Sequence, residues 1–460
     1  MSDSPTTATS NRMSDVDALM WTVERNPALR STMTSVSFFD EPLDRPTVTD
    51  RIDRMTRVIP RLRQRVVGNP MSIAAPRWEI DPYFDLSYHL RWLSFDGKQT
   101  ERDILDLAEP LVMAAFDRDR PLWETTCING LAGGGAALIM KAHHSVTDGL
   151  GALRMQMELF DFDADPVDKG PMPDAPIEPV LGQTERTVDA IAHELRAQRG
   201  ALNFGVEFLR SNMFDPLGTT RSVAEGLASA GRLLKPVDRP LSPLLTERTL
   251  SVRFDTLILS LPALKAAGKR IGSKLNDAFV AGLCLGLQRY HQRHGVVLEA
   301  LRFGIPVNQR ADSADPADGN HWAPVRFELP MHADPDQQMT EIRNQMAESV
   351  NEPALSWITS LAGVLRRLPN PMSTAVFAAS LRGTDVQASN VPGSRVPMYL
   401  TGSRLRVQYP FGPLASAALN VTLLSYQDEL HLGIASNPGA VGDPEALIDD
   451  LEAGFTAVIG

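Results

Sequence analysis

Apolar residues recur along this chain at two spacings, every second position or every third to fourth, and the regions where neither holds divide it into parts. Ahead of residue 161, "FDLSYHLRWLSF" and "AALIMKAH" have strand character, whereas "ERDILDLAEPLVMAAF" and "GALRMQMELF" carry helical spacing. Residues 161–180, "DFDADPVDKGPMPDAPIEPV", are rich in proline and acid without apolar periodicity and read as a linker. Helical spacing returns over 184–235 and stops at Pro236. From about residue 246 the mixed pattern resumes, with strands predicted at "LILSL", "RFGIPV", "VRFELP", "LRVQY", "ALNVTLLSY" and "LHLGIAS". Helices are predicted there at 262–271, 275–292, 336–350 and 444–458. The glycines of "LAGGGAAL" fit a turn between strands, because the lysine and hydroxyl residue of a phosphate loop are missing.

These patterns predict two α/β domains joined by a helical crossover: a tail at 1–12, a first domain at 13–160, linker and connector at 161–245, and a second domain at 246–460. A chain of 460 residues exceeds what one hydrophobic core usually serves, which agrees. The net charge of -11 argues against a nucleic-acid binder. Two cysteines, Cys127 and Cys284, suggest neither a disulfide framework nor a structural zinc site, and a cytoplasmic setting is expected. The polar start lacks the apolar core of a signal peptide. The most apolar run, "AFVAGLCLGL" at 278–287, has the length of a core helix, so membrane contact would be peripheral.

Chemistry concentrates in "MKAHHSVTDGLGALRM" at 140–155, a strand, a polar turn and a helix. Strand alternation sends His143 and His144 to opposite sides, so one of them faces a given cleft. A neutral imidazole can take a proton from an alcohol or thiol near neutral pH and return it to a leaving group, which suits acyl transfer. The chain has no G-x-S-x-G elbow, so the histidine would act directly on the acceptor. Metal binding is disfavoured, since consecutive strand residues diverge and H-E-x-x-H is absent. Asp148 also suits a helix N-cap, a role that leaves the paired histidines unexplained.

The stretch "HHSVTDG" (His143, His144, Asp148, Gly149) resembles the HHxxxDG motif of acyltransferases that use acyl-coenzyme A. "MSDVDALMW", "FDLSYHLRWL", "DRDRPLWETTCINGLAGG", "KLNDAFVAG", "IPVNQR", "GNHWAPVRFELP" and "ASNVPG" follow in an order similar to the bacterial wax ester synthase/diacylglycerol acyltransferase family. The resemblance implies an α/β (α+β) fold of two chloramphenicol-acetyltransferase-like domains, each a mixed sheet with flanking helices, with a tunnel between them.

It further implies an acyl-CoA-dependent O-acyltransferase that esterifies diacylglycerol or long-chain alcohols to triacylglycerol or wax esters. His144 would be the general base, His143 an orienting residue and Asp148 a structural carboxylate held by Arg310. Gly149 would let substrate approach the backbone closely. Asn276 would donate to the oxyanion, although "KLND" also reads as a plain N-cap. Pro121, Leu122 and Trp123 form an element that contacts substrate or anchors packing, and Asn390 would fix a loop at the tunnel. The expected partners are acyl-CoA as co-substrate and the acceptor lipid, with no resident cofactor or metal, no nucleic acid, and peripheral attachment to the inner membrane or lipid bodies. The connector, with Arg196, Arg199 and Arg210, is a candidate for that attachment; a crossover packed on both domains is the alternative. The pattern departs from the family at Ser394, Asp428 and Asn437, which bears on acceptor choice more than on catalysis. An acyltransferase acting on another lipid alcohol or an amine, and a noncatalytic lipid-binding relative, stay open.

Overall fold

The computed structural model describes residues 11–68, 74–146, 149–211, 237, 239–308, 322–350 and 358–460. Its strands are β1 Thr32–Phe39, β2 Gln64–Val67, β3 Arg77–Ile80, β4 Leu90–Gln99, β5 Trp123–Leu131, β6 Ala136–His143, β7 Arg253–Ser260, β8 Ala300–Asn308, β9 Trp322–Pro330, β10 Val386–Val391, β11 Tyr399–Leu400, β12 Ser403–Phe411, β13 Leu419–Tyr426 and β14 Glu429–Ser436. They form two six-stranded mixed sheets, ordered β11-β12-β1-β6-β5-β4 and β7-β14-β13-β10-β8-β9, and a small β2-β3 ribbon. Two α/β halves with flanking helices are therefore present, as the hydrophobic pattern predicts.

Linear boundaries do not separate the two sheets. Strands β11 and β12 belong by sequence to the second half, yet β12 pairs antiparallel with β1 along Thr34↔Phe411 to Phe39↔Leu405. The linker's first residue, Asp161, exchanges both backbone hydrogen bonds with Tyr399 at 2.8 Å, and its carboxylate holds Arg51 in a buried ion pair, also at 2.8 Å. Strand β14 crosses β12 so closely that a Cβ on Gly433 would fall 1.9 Å from the Pro410 carbonyl oxygen. Phe254 of β7 stacks on Phe411 of β12 at 3.9 Å, inside an apolar cluster that takes Val36, Phe38 and Ile139 from one half and Ala435 from the other. Burial of this shared cluster fastens the halves together.

The second half is built around the helix Leu275–Arg293, whose residues 277–287 are all buried. It lies against the C-terminal helix Pro444–Ile459 through glycines: a Cβ on Gly454 would sit 2.3 Å from the Gly286 nitrogen. The apolar run at 278–287 is thus a core helix. Among the described residues, no helix is long and apolar enough to cross a membrane. The connector forms a helix at Gln183–Ser211; the remainder of the predicted helical stretch, 212–235, lies outside the described residues.

Two local expectations change. "FDLSYH" makes a helical turn, Leu86–His89, before β4 begins, because the Asp85 side chain accepts the Ser87 N–H at 2.9 Å and caps it. Asn390, expected to fix a loop, lies in a strand that the pattern does not predict, β10, which pairs parallel with β13.

Candidate active site

Strand β6 delivers the histidine pair. His143 is its last residue, opposite Thr32 on β1, and its backbone N–H donates to the Leu122 carbonyl at 2.9 Å. The ring is fully buried. The Ser145 backbone N–H donates to its Nδ1 at 3.1 Å, and the Ser145 hydroxyl lies 2.6 Å from the same nitrogen. A nitrogen that accepts an amide N–H in the neutral ring carries no proton, so the proton belongs on Nε2. That nitrogen faces a carboxylate, Glu24 Oε2, at 2.9 Å.

Glu24 is the C-cap of the helix Asp15–Val23, which Ser14 caps at its other end. Its second oxygen lies 3.4 Å from Arg118, whose guanidinium covers the Trp21 ring at 3.7 Å; Trp21 in turn meets His143 edge-on at 5.9 Å. Burial pushes the Glu24 carboxyl up, but the His143 hydrogen bond and the Arg118 charge outweigh it and hold it below the ordinary carboxylate range. Sequence reasoning missed Glu24, Arg118, Trp21 and Ser145 as a group. Three of the four lie in stretches singled out above, Trp21 at the end of "MSDVDALMW", Arg118 in "DRDRPLWETTCINGLAGG" and Ser145 in "HHSVTDG", but nothing in their spacing brings them together, and Glu24 lies in none of these stretches.

His144 follows as the first turn residue, half-buried, with its backbone N–H on the Ser31 carbonyl at 2.8 Å. The Val146 N–H closes the turn on His143 O at 2.9 Å, and Gly149 opens the helix Gly149–Leu159. Asp148 and Arg310 lie outside the described residues, and with them the pairing expected between the two.

Asn276 sits in the first turn of the helix Leu275–Arg293, where the N-cap position is Lys274. The capping work falls to Asp277, whose carboxylate accepts the Lys274 N–H at 2.7 Å. Asn276 is therefore not a plain N-cap. Its Oδ1 accepts a hydrogen bond from Asn390 Nδ2 at 2.8 Å, across 114 residues of sequence. With Oδ1 engaged, Asn276 turns its amide hydrogens to the remaining directions.

Pro121, Leu122 and Trp123 are all buried. The Trp123 indole donates to the Leu62 carbonyl at 2.7 Å and stacks on His89 at 4.7 Å, while His89 Nδ1 donates to the Trp123 carbonyl, also at 2.7 Å. Of the two readings of this element, burial and saturated polar atoms describe the packing anchor. Leu122 also ties it to the site by receiving the His143 N–H. Burial pushes the Cys127 thiol up to about 12 and the Cys284 thiol upward as well, so neither offers a thiolate nucleophile near neutral pH.

The three departures occupy structural positions. Asn437 clasps the chain after the connector, accepting the Thr249 N–H and donating to the Thr249 carbonyl, both at 2.9 Å. The Ser394 hydroxyl donates to Val396 O at 2.8 Å, and its carbonyl accepts the Gln427 N–H at 2.7 Å. Asp428 sits with Gln427 in the tight turn between β13 and β14, where Gln427 takes the positive φ of 53°.

Against known proteins, the wax ester synthase/diacylglycerol acyltransferase catalytic domain matches residues 10–279, and the C-terminal domain of the same family matches residues 318–458. A Mycobacterium tuberculosis protein whose name assigns it as a diacylglycerol O-acyltransferase is 35% identical over 455 residues, covering 98% of this chain and 92% of its own length. Among solved structures, the wax ester synthase/diacylglycerol acyltransferase from Marinobacter aquaeolei VT8 superposes with a TM-score of 0.62 at 22% identity, over 97% of this chain and 98% of that one. A starter condensation domain of rhizomide synthetase, solved with C8-CoA and Leu-SNAC, gives 0.60 at 12% identity over 98% and 94%. Both share the two-domain, chloramphenicol-acetyltransferase-like fold. With both family domains matched in order and the HHxxxDG histidines at the end of β6, this chain belongs to the wax ester synthase/diacylglycerol acyltransferase family.

Proposed function

We propose that the protein transfers the acyl group of a long-chain acyl-CoA to the free hydroxyl of diacylglycerol, giving triacylglycerol and coenzyme A. His144 takes the proton from the acceptor hydroxyl as that oxygen attacks the thioester carbonyl. The tetrahedral oxyanion is held by the Asn276 amide and by backbone N–H groups at the helix that Gly149 opens. The intermediate then expels the coenzyme A sulfur, which recovers the proton from His144. His143 orients rather than reacts.

The hydrogen bond from Asn390 to Asn276 carries this reading. It joins two family motifs through the one atom of Asn276 that an oxyanion donor does not need, leaving Nδ2–H to donate. The locked His143 gives further support, since a ring held at both nitrogens is suited to fixing the turn that presents its neighbour. The acceptor follows the relatives, whose names specify diacylglycerol O-acyltransferase. Purified protein given radiolabelled palmitoyl-CoA with diacylglycerol or with hexadecanol tests it. Labelled triacylglycerol is expected as the main product; wax ester alone would reassign the acceptor, and no labelled ester from either would leave the chain a lipid-binding relative.

A peripheral seat on a lipid surface belongs to the same reading. On the connector helix, Val188, Ile191 and Leu195 stand 62%, 44% and 50% exposed at helical spacing, with Arg196 and Arg199 exposed nearby. Arg210 falls where side chains lie outside the described residues. Liposome flotation of a variant with Val188, Ile191 and Leu195 changed to serine should lose binding, and unchanged flotation removes the segment from this role.

A further inference from the structure

A cavity of about 440 Å³ opens beside the histidine turn, lined by Glu24, Arg25, Arg30, Thr32, Phe116 and Arg118 among others. Three guanidinium groups and one carboxylate converge there, a surplus of two positive charges in a chain whose net charge is -11. The single carboxylate is already engaged, since Glu24 receives His143 on one oxygen and Arg118 on the other. Arg30 donates to the Met113 carbonyl, and neither it nor Arg25 meets a carboxylate among the described residues. Arg118 is lowered from its ordinary value by burial and, against the pull of Glu24, by the nearness of Arg25. Lys141, on β6 two residues before His143, faces the Phe116 ring at 4.4 Å but is paired with Glu124 at 3.6 Å; burial lowers its basicity, and Arg30 is among the charges that add to this.

We propose that this pocket binds a phosphoryl group. Converging guanidinium forks suit an anion that presents several oxygens in different directions, whereas a monocarboxylate is satisfied by one fork. The site borders the first histidine of the motif: Thr32 faces His143 across the β1-β6 ladder, and Glu24 contacts the His143 ring. The pocket shares Glu24 and Arg118 with the support of His143, while Arg25 and Arg30 take no part in the acyl transfer described above. A second cavity of about 110 Å³ shares Arg30 and Thr32 with it and runs along the seam between the halves, past Val252, Phe254 and Phe411. A phosphoryl group in the basic pocket would therefore have room for an attached apolar or ring-bearing portion.

The same chemistry is presented by a soluble phosphorylated compound and by a phospholipid headgroup, and binding measurements separate the two. Calorimetric titration of the full chain at fixed ionic strength would use pyrophosphate, adenosine 3′,5′-bisphosphate and acetate; sedimentation would use phosphatidylglycerol and phosphatidylcholine vesicles. Pyrophosphate is expected to bind and acetate not. Arg25→Gln and Arg30→Gln should each weaken pyrophosphate roughly 10- to 100-fold, the loss of a hydrogen bond to a charged group. Arg25 is exposed, so Arg25→Gln should keep its thermal stability, and Arg25→Lys, which keeps the charge without the fork, should fall between. Tighter binding of the bisphosphate than of vesicles assigns a soluble ligand, and the reverse, lost in Arg25→Gln, assigns a headgroup; either supports the site. Absence of binding by every phosphoryl compound, equal binding in both glutamine variants, or acetate matching pyrophosphate overturns it. The readout is binding without turnover, so this result is independent of whether diacylglycerol is the acceptor.

Discussion

The histidine turn and the asparagine pair are built in opposite ways. His143 is fully buried and gripped at both ring nitrogens, and its carboxylate partner is itself held by Arg118 over Trp21. Asn276 and Asn390 meet through one hydrogen bond, with Asn390 exposed. A buried network of charged hydrogen bonds is costly to leave half-made, whereas an exposed neutral bond contributes little to stability. Damage to the first should therefore appear in folding as well as turnover, and damage to the second in turnover alone.

The largest effect expected is at His144. Its replacement by alanine should lower turnover roughly 100- to 10,000-fold, the range of general acid-base catalysis, with thermal stability near wild type. His143→Ala should instead lower the unfolding midpoint first. If the two variants exchange behaviours, with His143→Ala inactive but stable and His144→Ala active, the base has been assigned to the wrong ring. Next is Asn276→Ala, with about a 100- to 1,000-fold loss in kcat, as for removal of one oxyanion donor, and little change in urea midpoint. A midpoint that falls as far as turnover would make Asn276 a structural residue and erase the contrast between the regions.

Glu24 tests the grip on His143 from the other side. Glutamine keeps an oxygen that can accept the Nε2–H, while alanine leaves that buried donor unsatisfied, at about 1–3 kcal/mol. Glu24→Ala should thus lose stability and turnover together, and Glu24→Gln should recover most of both. Equal damage from the two would show that the carboxylate acts through charge toward Arg118 rather than by accepting from His143. Asn390→Ala should be milder than Asn276→Ala: the lost orienting bond corresponds to about 0.5–1.5 kcal/mol, or roughly 2- to 10-fold in turnover.

What could be read in the sequence, and what could not, divides along the same lines. Strand β6 has the bounds its apolar run predicts, and the helix Leu275–Arg293 is the core helix its composition suggests, because burial leaves a local periodic trace. The pair Asn276 and Asn390 could be named from motifs, but their contact spans 114 residues and no spacing encodes it. Strand β10, "VQASNV", is short and alternates only over Val386–Ser389 with a single large apolar residue, too little to mark a strand under Asn390. The addition of β12 to the first sheet escapes local pattern altogether: alternation marks "LRVQY" as a strand without saying which sheet receives it. Glu24 shows no periodic or motif signature, and its role exists only because the helix before it packs against the end of β6.

The smallest expected effect uses another buried histidine, His89, as the control for His143. His89 is as buried as His143 but has no carboxylate on its ring: it lies between Phe84 and Trp123, at 5.3 and 4.7 Å, and Nδ1 meets a backbone carbonyl. Burial therefore lowers its pKa from the ordinary 6.5. In the window below 6.5 the unfolded chain binds a proton that the folded chain refuses, so stability falls as pH falls from 6.5 toward the lowered folded value. The slope from this residue is at most about 1.4 kcal/mol per pH unit. Glu24, held below the carboxylate range, has its contribution fully present above about 4.5, and loses it only as the pH drops further. Urea unfolding from pH 7 to 5.5 should accordingly show a decline that His89→Phe reduces, since phenylalanine cannot take up the proton. A decline that persists in full in His89→Phe would place its origin elsewhere, with His291, also buried and lowered, the next residue to replace.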